Sequence, residues 1–126
     1  MSLYRAMKAA KSPRKLRIPG SARAHSHLVA ACRTLLTLHK IPSVAINQVA
    51  HKTSKGWKTQ GATVGCFDII ACLPGGRVLA LDAKTGSGKL SLAQLEFEHD
   101  WMRAGALCRV IRSVDELDSL LREVVR

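Results

Sequence analysis

Asp68 and Asp82 lie where this sequence can least easily accommodate a charge. Each sits in a β-rich, mostly apolar run, Val64 to Leu73 and Val78 to Lys84, and the two runs are separated by Pro74-Gly75-Gly76. The pattern predicts a hairpin whose strands are buried on both faces, and an unpaired charge there is costly. With the three residues as a loop and glycine at its left-handed position, Leu73 pairs with Arg77 and paired residue numbers sum to 150. Asp68 and Asp82 also sum to 150, so they face each other on one side of the hairpin. Their Cβ atoms are then about 5 Å apart, a repulsive arrangement for like charges. Three remedies are open: one shared proton, a basic side chain, or a bound cation. Lys84 is two residues past Asp82, on the same face and one pleat along, so a salt bridge to one or both aspartates is the plain structural account. Two carboxylates and one lysine still leave a net negative pocket. Its hard oxygen ligands suit Mg²⁺ or Mn²⁺, which bind one or two carboxylates, keep water and accept substrate phosphate.

The charge of the chain points to that phosphate. Its 126 residues suffice for one domain, and its net charge is +11. Residues 1–67 hold twelve Lys and Arg and no carboxylate, whereas residues 68–126 hold eight basic and nine acidic residues. Such a surplus exceeds what solubility requires and indicates a polyanionic partner, nucleic acid ahead of an anionic membrane. The longest apolar runs, Leu28 to Cys32 and Ile69 to Leu73, are far below the roughly 20 residues that span a bilayer. An acidic metal pocket on a basic protein implies metal-assisted phosphodiester hydrolysis. Cys32, Cys66, Cys72 and Cys108 lack zinc-site spacing and read as small buried apolar residues. Without an apolar secretory segment, the setting expected is intracellular, cytoplasmic or nucleoid-associated.

The elements that must position these groups are readable in outline. Residues 1–20 form a basic arm broken by Pro13, with Arg14, Lys15 and Arg17 as phosphate contacts, and residues 21–126 form one domain. From Ser21, a plausible N-cap, Leu28, Cys32, Leu35 and Leu36 make a helical stripe that Pro42 ends. Ser43 to Val49 is a short strand, and His51 to Gly61 a polar, basic loop. After the hairpin, Ser91 caps a helix carrying Leu92, Leu95, Trp101 and Met102, which Gly105 ends. Leu107 to Ile111 is a strand, and Ser113-x-x-Glu116 is a capping box opening an amphipathic helix through Leu117, Leu120, Leu121 and Val124. The order α-β-β-β-α-β-α implies an α/β fold with a mixed four-stranded sheet flanked by helices.

G-C-F-D-I-I at 65–70, L-D-A-K at 81–84 and K-L-S-L-A-Q at 89–94 resemble the PD-(D/E)XK nuclease signature. With Gly105 and V-I-R-S-V-D-E-L at 110–117, the set is similar to the VRR-NUC branch over roughly Ala24 to Leu117. The resemblance implies a restriction-endonuclease-like core in which Asp68 and Asp82 are metal ligands and the Ala83 backbone carbonyl completes that side. Lys84 would orient the attacking water or stabilise charge on the phosphate, and Gln94 would position water or substrate. Phe67 stands where the family usually has Pro, and Asp82 where Glu is commoner. The family's first helix supplies a Glu ligand, yet no acid occurs in this one; the nearest counterpart is His27, with His25 two residues earlier. Imidazole there would shift preference toward Mn²⁺ or loosen the site. Asn47 falls where the family strand often has Asn and could reach a phosphate, or simply close a strand end.

Lys52, Lys55, Trp57 and Lys58 give the 51–61 loop the composition of a strand-gripping element, though one tryptophan also suits a lid. Gly86 to Lys89 lacks the P-loop pattern, which argues against nucleotide hydrolysis, and no nucleotide cofactor is expected. The expectation is a metal-dependent DNA endonuclease acting on branched DNA such as a Holliday junction. Stand-alone domains of this resemblance act as homodimers, because two symmetric cuts need two sites. The rival readings are a non-catalytic nucleic-acid-binding module that keeps the nuclease fold, and a basic RNA-binding or assembly protein whose aspartates are only salt-bridged to Lys84.

Overall fold

The computed structural model describes residues 20–46, 48–61 and 64–125, so Arg14, Lys15, Arg17 and Asn47 lie outside the described residues. Helix α1 (Gly20–Leu38) buries Cys32, Leu35 and Leu36 at the spacing expected of its stripe. It stops before Pro42 can act. Lys40 takes φ 59°, its N–H reaches the Thr37 carbonyl at 2.9 Å, and the Ile41 N–H reaches that of Leu36 at 2.9 Å. This is a Schellman ending with lysine in the usual glycine position, and buried Ile41 and Leu36 supply its apolar contact. Pro42 instead lends its carbonyl to the Cys72 N–H at 3.0 Å.

Strand β1 (Ser43–Ala45) is shorter than the sequence suggests. The segment expected as a loop is largely an antiparallel ribbon, β2 (Gln48–Thr53) with β3 (Gly56–Gly61), in which Lys52 is the register partner of Trp57 and His51 that of Lys58. The physical reason lies in its ends and its composition. Ser54-Lys55 makes a tight turn closed by Gly56 at φ 111°, and Val, Thr and Trp favour the extended backbone. The ribbon's strands pair with each other and join no other described strand.

The hairpin forms as read. Strand β4 (Ile69–Cys72) runs antiparallel to β5 (Val78–Ala83) with Ile69 opposite Leu81 and Cys72 opposite Val78, so the sum of 150 holds. Gly75 and Gly76, both at φ 91°, make the turn, closed by Leu73 N–H to the Arg77 carbonyl at 2.8 Å. β4 begins later than Val64, because Gly65 at φ 84° bends the chain first.

Helix α2 (Leu92–Arg103), strand β6 (Leu107–Ile111) and helix α3 (Val114–Val124) follow. β6 runs parallel to β5, giving a mixed open sheet of order β1-β4-β5-β6. One face packs on α1 and α3 through Ile69, Leu79 and Leu81 against Leu36, Leu117 and Leu121. The other meets α2, where Phe97 stacks on Phe67 at 4.9 Å and on Trp101 at 4.6 Å beside Ala80 and Cys108. The chain is thus α/β, with three helices about a four-stranded mixed sheet among the described residues.

Leu92, Leu95 and Met102 are exposed, because the aromatic ladder already fills the face α2 offers the sheet. Two local expectations are corrected. Glu116 caps the Arg112 N–H at 2.8 Å instead of completing a box with Ser113, whose Oγ still accepts the Glu116 N–H at 3.2 Å. Cys32 and Cys108 are buried, Cys66 is half-buried, and Cys72 is exposed where β4 runs out toward the turn.

Candidate functional site

Asp68 immediately precedes β4, and its backbone is fixed by its carbonyl, which accepts the Ile46 N–H at 2.7 Å. Its side chain extends the ladder: Oδ2 accepts the Ala83 N–H at 2.7 Å. Across the hairpin, Asp82 is the one buried charged residue among those described, with 0% exposure. Oδ1 of Asp82 accepts a hydrogen bond from Gln94 Nε2 at 3.1 Å. Oδ2 lies 3.0 Å from Lys84 Nζ, yet at an angle that leaves it without a hydrogen bond. Burial first, and then the facing Asp68 carboxylate, push the Asp82 carboxyl up to about 6, while Lys84 pulls it back.

Gln94 joins this pair to the fold. The amide is the third residue of α2 and forms a capping box with Ser91: Ser91 Oγ accepts the Gln94 N–H at 3.2 Å, and Gln94 Oε1 accepts the Ser91 N–H at 3.0 Å. The same Oε1 accepts from Lys84 Nζ at 3.0 Å. One side chain therefore closes a helix start and bridges the lysine to the buried aspartate. Gly65 brings the segment before β4 against the helix start. A Cβ there would lie 2.5 Å from the Ala93 carbonyl oxygen.

In front of these groups opens a cleft of about 690 Å³, lined among others by His25, Arg33, Ile46, Cys66, Asp68 and Gln94. Four of the groups read from the sequence, Asp68, Asp82, Lys84 and Gln94, are thus brought together. Ala83 joins them through its N–H, where the resemblance implied its carbonyl. His27 does not join them. The helix turns His25 into the cleft instead, with Nε2 at 3.1 Å from Asp68 Oδ2. Two residues along a helix is about 200°, so His25 and His27 cannot share a face. The signal was present in the spacing: His25 lies seven and eleven residues before buried Cys32 and Leu36, on the stripe that faces the sheet. Lys55 is exposed at the ribbon turn, and Lys52, Trp57 and Lys58 are on the ribbon strands.

Among the described residues no group of three or more His, Cys, Asp or Glu is gathered that could hold a metal ion. Two abutting carboxylates are gathered, and one buried oxygen, Asp82 Oδ2, lacks a hydrogen bond. That donor set fits a hard divalent cation, which needs one or two carboxylates and keeps most of its waters. No described helix is long and apolar enough to cross a membrane. No protein-family model matches the chain, and no curated protein or solved structure matches it either.

Proposed function

We propose that the chain is a divalent-metal-dependent endodeoxyribonuclease, a VRR-NUC-type member of the PD-(D/E)XK superfamily, hydrolysing phosphodiester bonds of branched DNA such as a Holliday junction inside the cell. The observation that carries this reading is the packing of Asp68 against Asp82 with Lys84 beside them at the back of an open cleft, on a chain whose first 67 residues are basic without a carboxylate. Asp68 and Asp82 would hold Mg²⁺ or Mn²⁺, which when bound supplies a Lewis acid for the scissile phosphate. Lys84, held at 3.0 Å from both Asp82 and Gln94, would present a fixed positive charge to the negative charge that grows on the phosphoryl oxygens as water attacks. Gln94 keeps that ammonium and the Asp82 carboxylate in place through the capping box. Arg33 adds a cation to the cleft wall, and the basic arm and the β2–β3 ribbon would hold flanking phosphates. A homodimer would bring two such sites to a junction with two-fold symmetry.

The test is incubation of the full chain with a labelled four-way junction and a linear duplex, in MgCl₂ or MnCl₂. Cleavage of the junction is expected, falling by at least about 100-fold in Asp82→Ala and Lys84→Met. If the wild type, correctly folded, binds the junction and is as inactive as Asp82→Ala, the protein is a binding module and the catalytic reading is wrong. Binding of neither DNA would return the aspartates to a purely structural salt bridge.

A further inference from the structure

We propose that Arg33 is a second phosphate subsite of the cleft, holding the bound strand a few nucleotides away from the phosphate that is cut, a subsite that rests on the nuclease reading above. Among the described residues that line the cleft, Arg33 is the one lysine or arginine. Its guanidinium is aimed without being neutralised. Nη2 donates to the Ser43 carbonyl at 3.1 Å and Nε to Ser43 Oγ at 3.4 Å, which fixes one edge of the plane against β1. Both acceptors are uncharged, and none of the ion pairs among the described residues includes Arg33. A guanidinium carries five N–H donors, so these contacts leave donors for a ligand together with the whole charge.

Helix α1 sets the spacing. His25, Ser26, Val29, Ala30 and Arg33 form the stripe of α1 that lines the cleft, and His25 marks its carboxylate end, 3.1 Å from Asp68. Arg33 follows eight residues later in the same helix, about 12 Å along its axis. Phosphates of a stacked strand advance by about 3.4 Å per step, so that separation covers roughly three or four steps. Val29 and Ala30, between the two ends, bring no polar side chain, which suits sugar or base there. A lone small anion would occupy the guanidinium end and leave the other unused. A polynucleotide strand serves both, with its scissile phosphate at the carboxylate end and a neighbour on Arg33, whose planar fork grips phosphate through two N–H groups at once.

The probe is a set of four-way junctions in which one phosphate at a time is replaced by an uncharged methylphosphonate, bound to the full chain in EDTA and read by fluorescence anisotropy. In the wild type, neutralising one phosphate within about four nucleotides of the cut should weaken binding by at least about tenfold. Arg33→Gln should lose a similar factor on the unmodified junction, become indifferent to that one replacement and keep its response to the others. The slope of log affinity against log salt should fall by about one in Arg33→Gln and return in Arg33→Lys. A residue that only ties α1 to β1 would change thermal unfolding and leave both the slope and the replacement pattern as in the wild type, which overturns the subsite and leaves the nuclease reading intact. An Arg33-dependent phosphate on junctions that the wild type never cuts in MgCl₂ or MnCl₂ overturns the nuclease reading and keeps the subsite. A wild type that binds no junction overturns both.

Discussion

Replacing Asp82 by asparagine should stabilise the protein at neutral pH while removing its proposed activity. The wild-type side chain has 0% exposure, and burial reinforced by Asp68 lifts its carboxyl from 3.8 to about 6. A carboxyl raised in the folded state contributes its stability when protonated. The contribution is full below the unfolded value of 3.8 and is lost as pH climbs through about 6. Two units correspond to about 3 kcal/mol, of which about 2 kcal/mol falls between pH 4.5 and 8. Asparagine carries no charge over this window, but one end of its amide meets Lys84 Nζ or Gln94 Nε2 with the wrong polarity, costing about 1 kcal/mol at every pH. The two proteins should therefore be about equally stable at pH 4.5, with the variant ahead by about 2 kcal/mol at pH 8. Urea unfolding of both at half-unit pH steps in EDTA measures this, because titrating groups away from Asp68 and Lys84 cancel in the difference. A difference that is flat with pH, or that turns toward the wild type as pH rises, would refute the reasoning and show Lys84 to be a sufficient counter-ion.

Ser91→Ala removes the oxygen that accepts the Gln94 N–H, so unfolding free energy should fall by about 1 kcal/mol and the Gln94 amide should exchange about fivefold faster. Gly65→Ala places a Cβ 2.5 Å from a backbone carbonyl at φ 84° and should cost at least about 3 kcal/mol in thermal unfolding. Gly105→Ala, at φ 107° in open space, bears backbone strain alone and should cost about 1 kcal/mol.

The hairpin was legible in the sequence because two apolar runs and a glycine turn leave one register that keeps their faces consistent, and that register alone sets Asp68 opposite Asp82. Ser91 and Ser113 were legible as caps for a similar reason, a local side-chain oxygen serving a local N–H. The β2–β3 ribbon was not legible, since Val49, Ala50 and Trp57 are scattered among polar residues and give no alternation to read. His25 and His27 are alike in type and differ only in place, since His25 alone continues the stripe of buried Cys32 and Leu36 and reaches Asp68. Leu92, Leu95 and Met102 are apolar at helical spacing and still face solvent, and only the stacking of Phe67, Phe97 and Trp101 explains which face of α2 turned inward. Pattern finds the elements, but the competition between two apolar faces of one helix is settled by what the sheet offers.

The terminal amide of Gln94 has a sense of direction. Its oxygen end gathers donors, the Ser91 N–H and the Lys84 ammonium, and its nitrogen end meets an acceptor, Asp82 Oδ1. Turned end for end, it would set donor against donor and oxygen against oxygen, so this position sorts positive from negative around itself. Glutamate, matched in size and shape, would still accept from Ser91 and Lys84 but would bring a third carboxylate face to face with Asp82, so isosteric replacement reverses polarity at the end that matters.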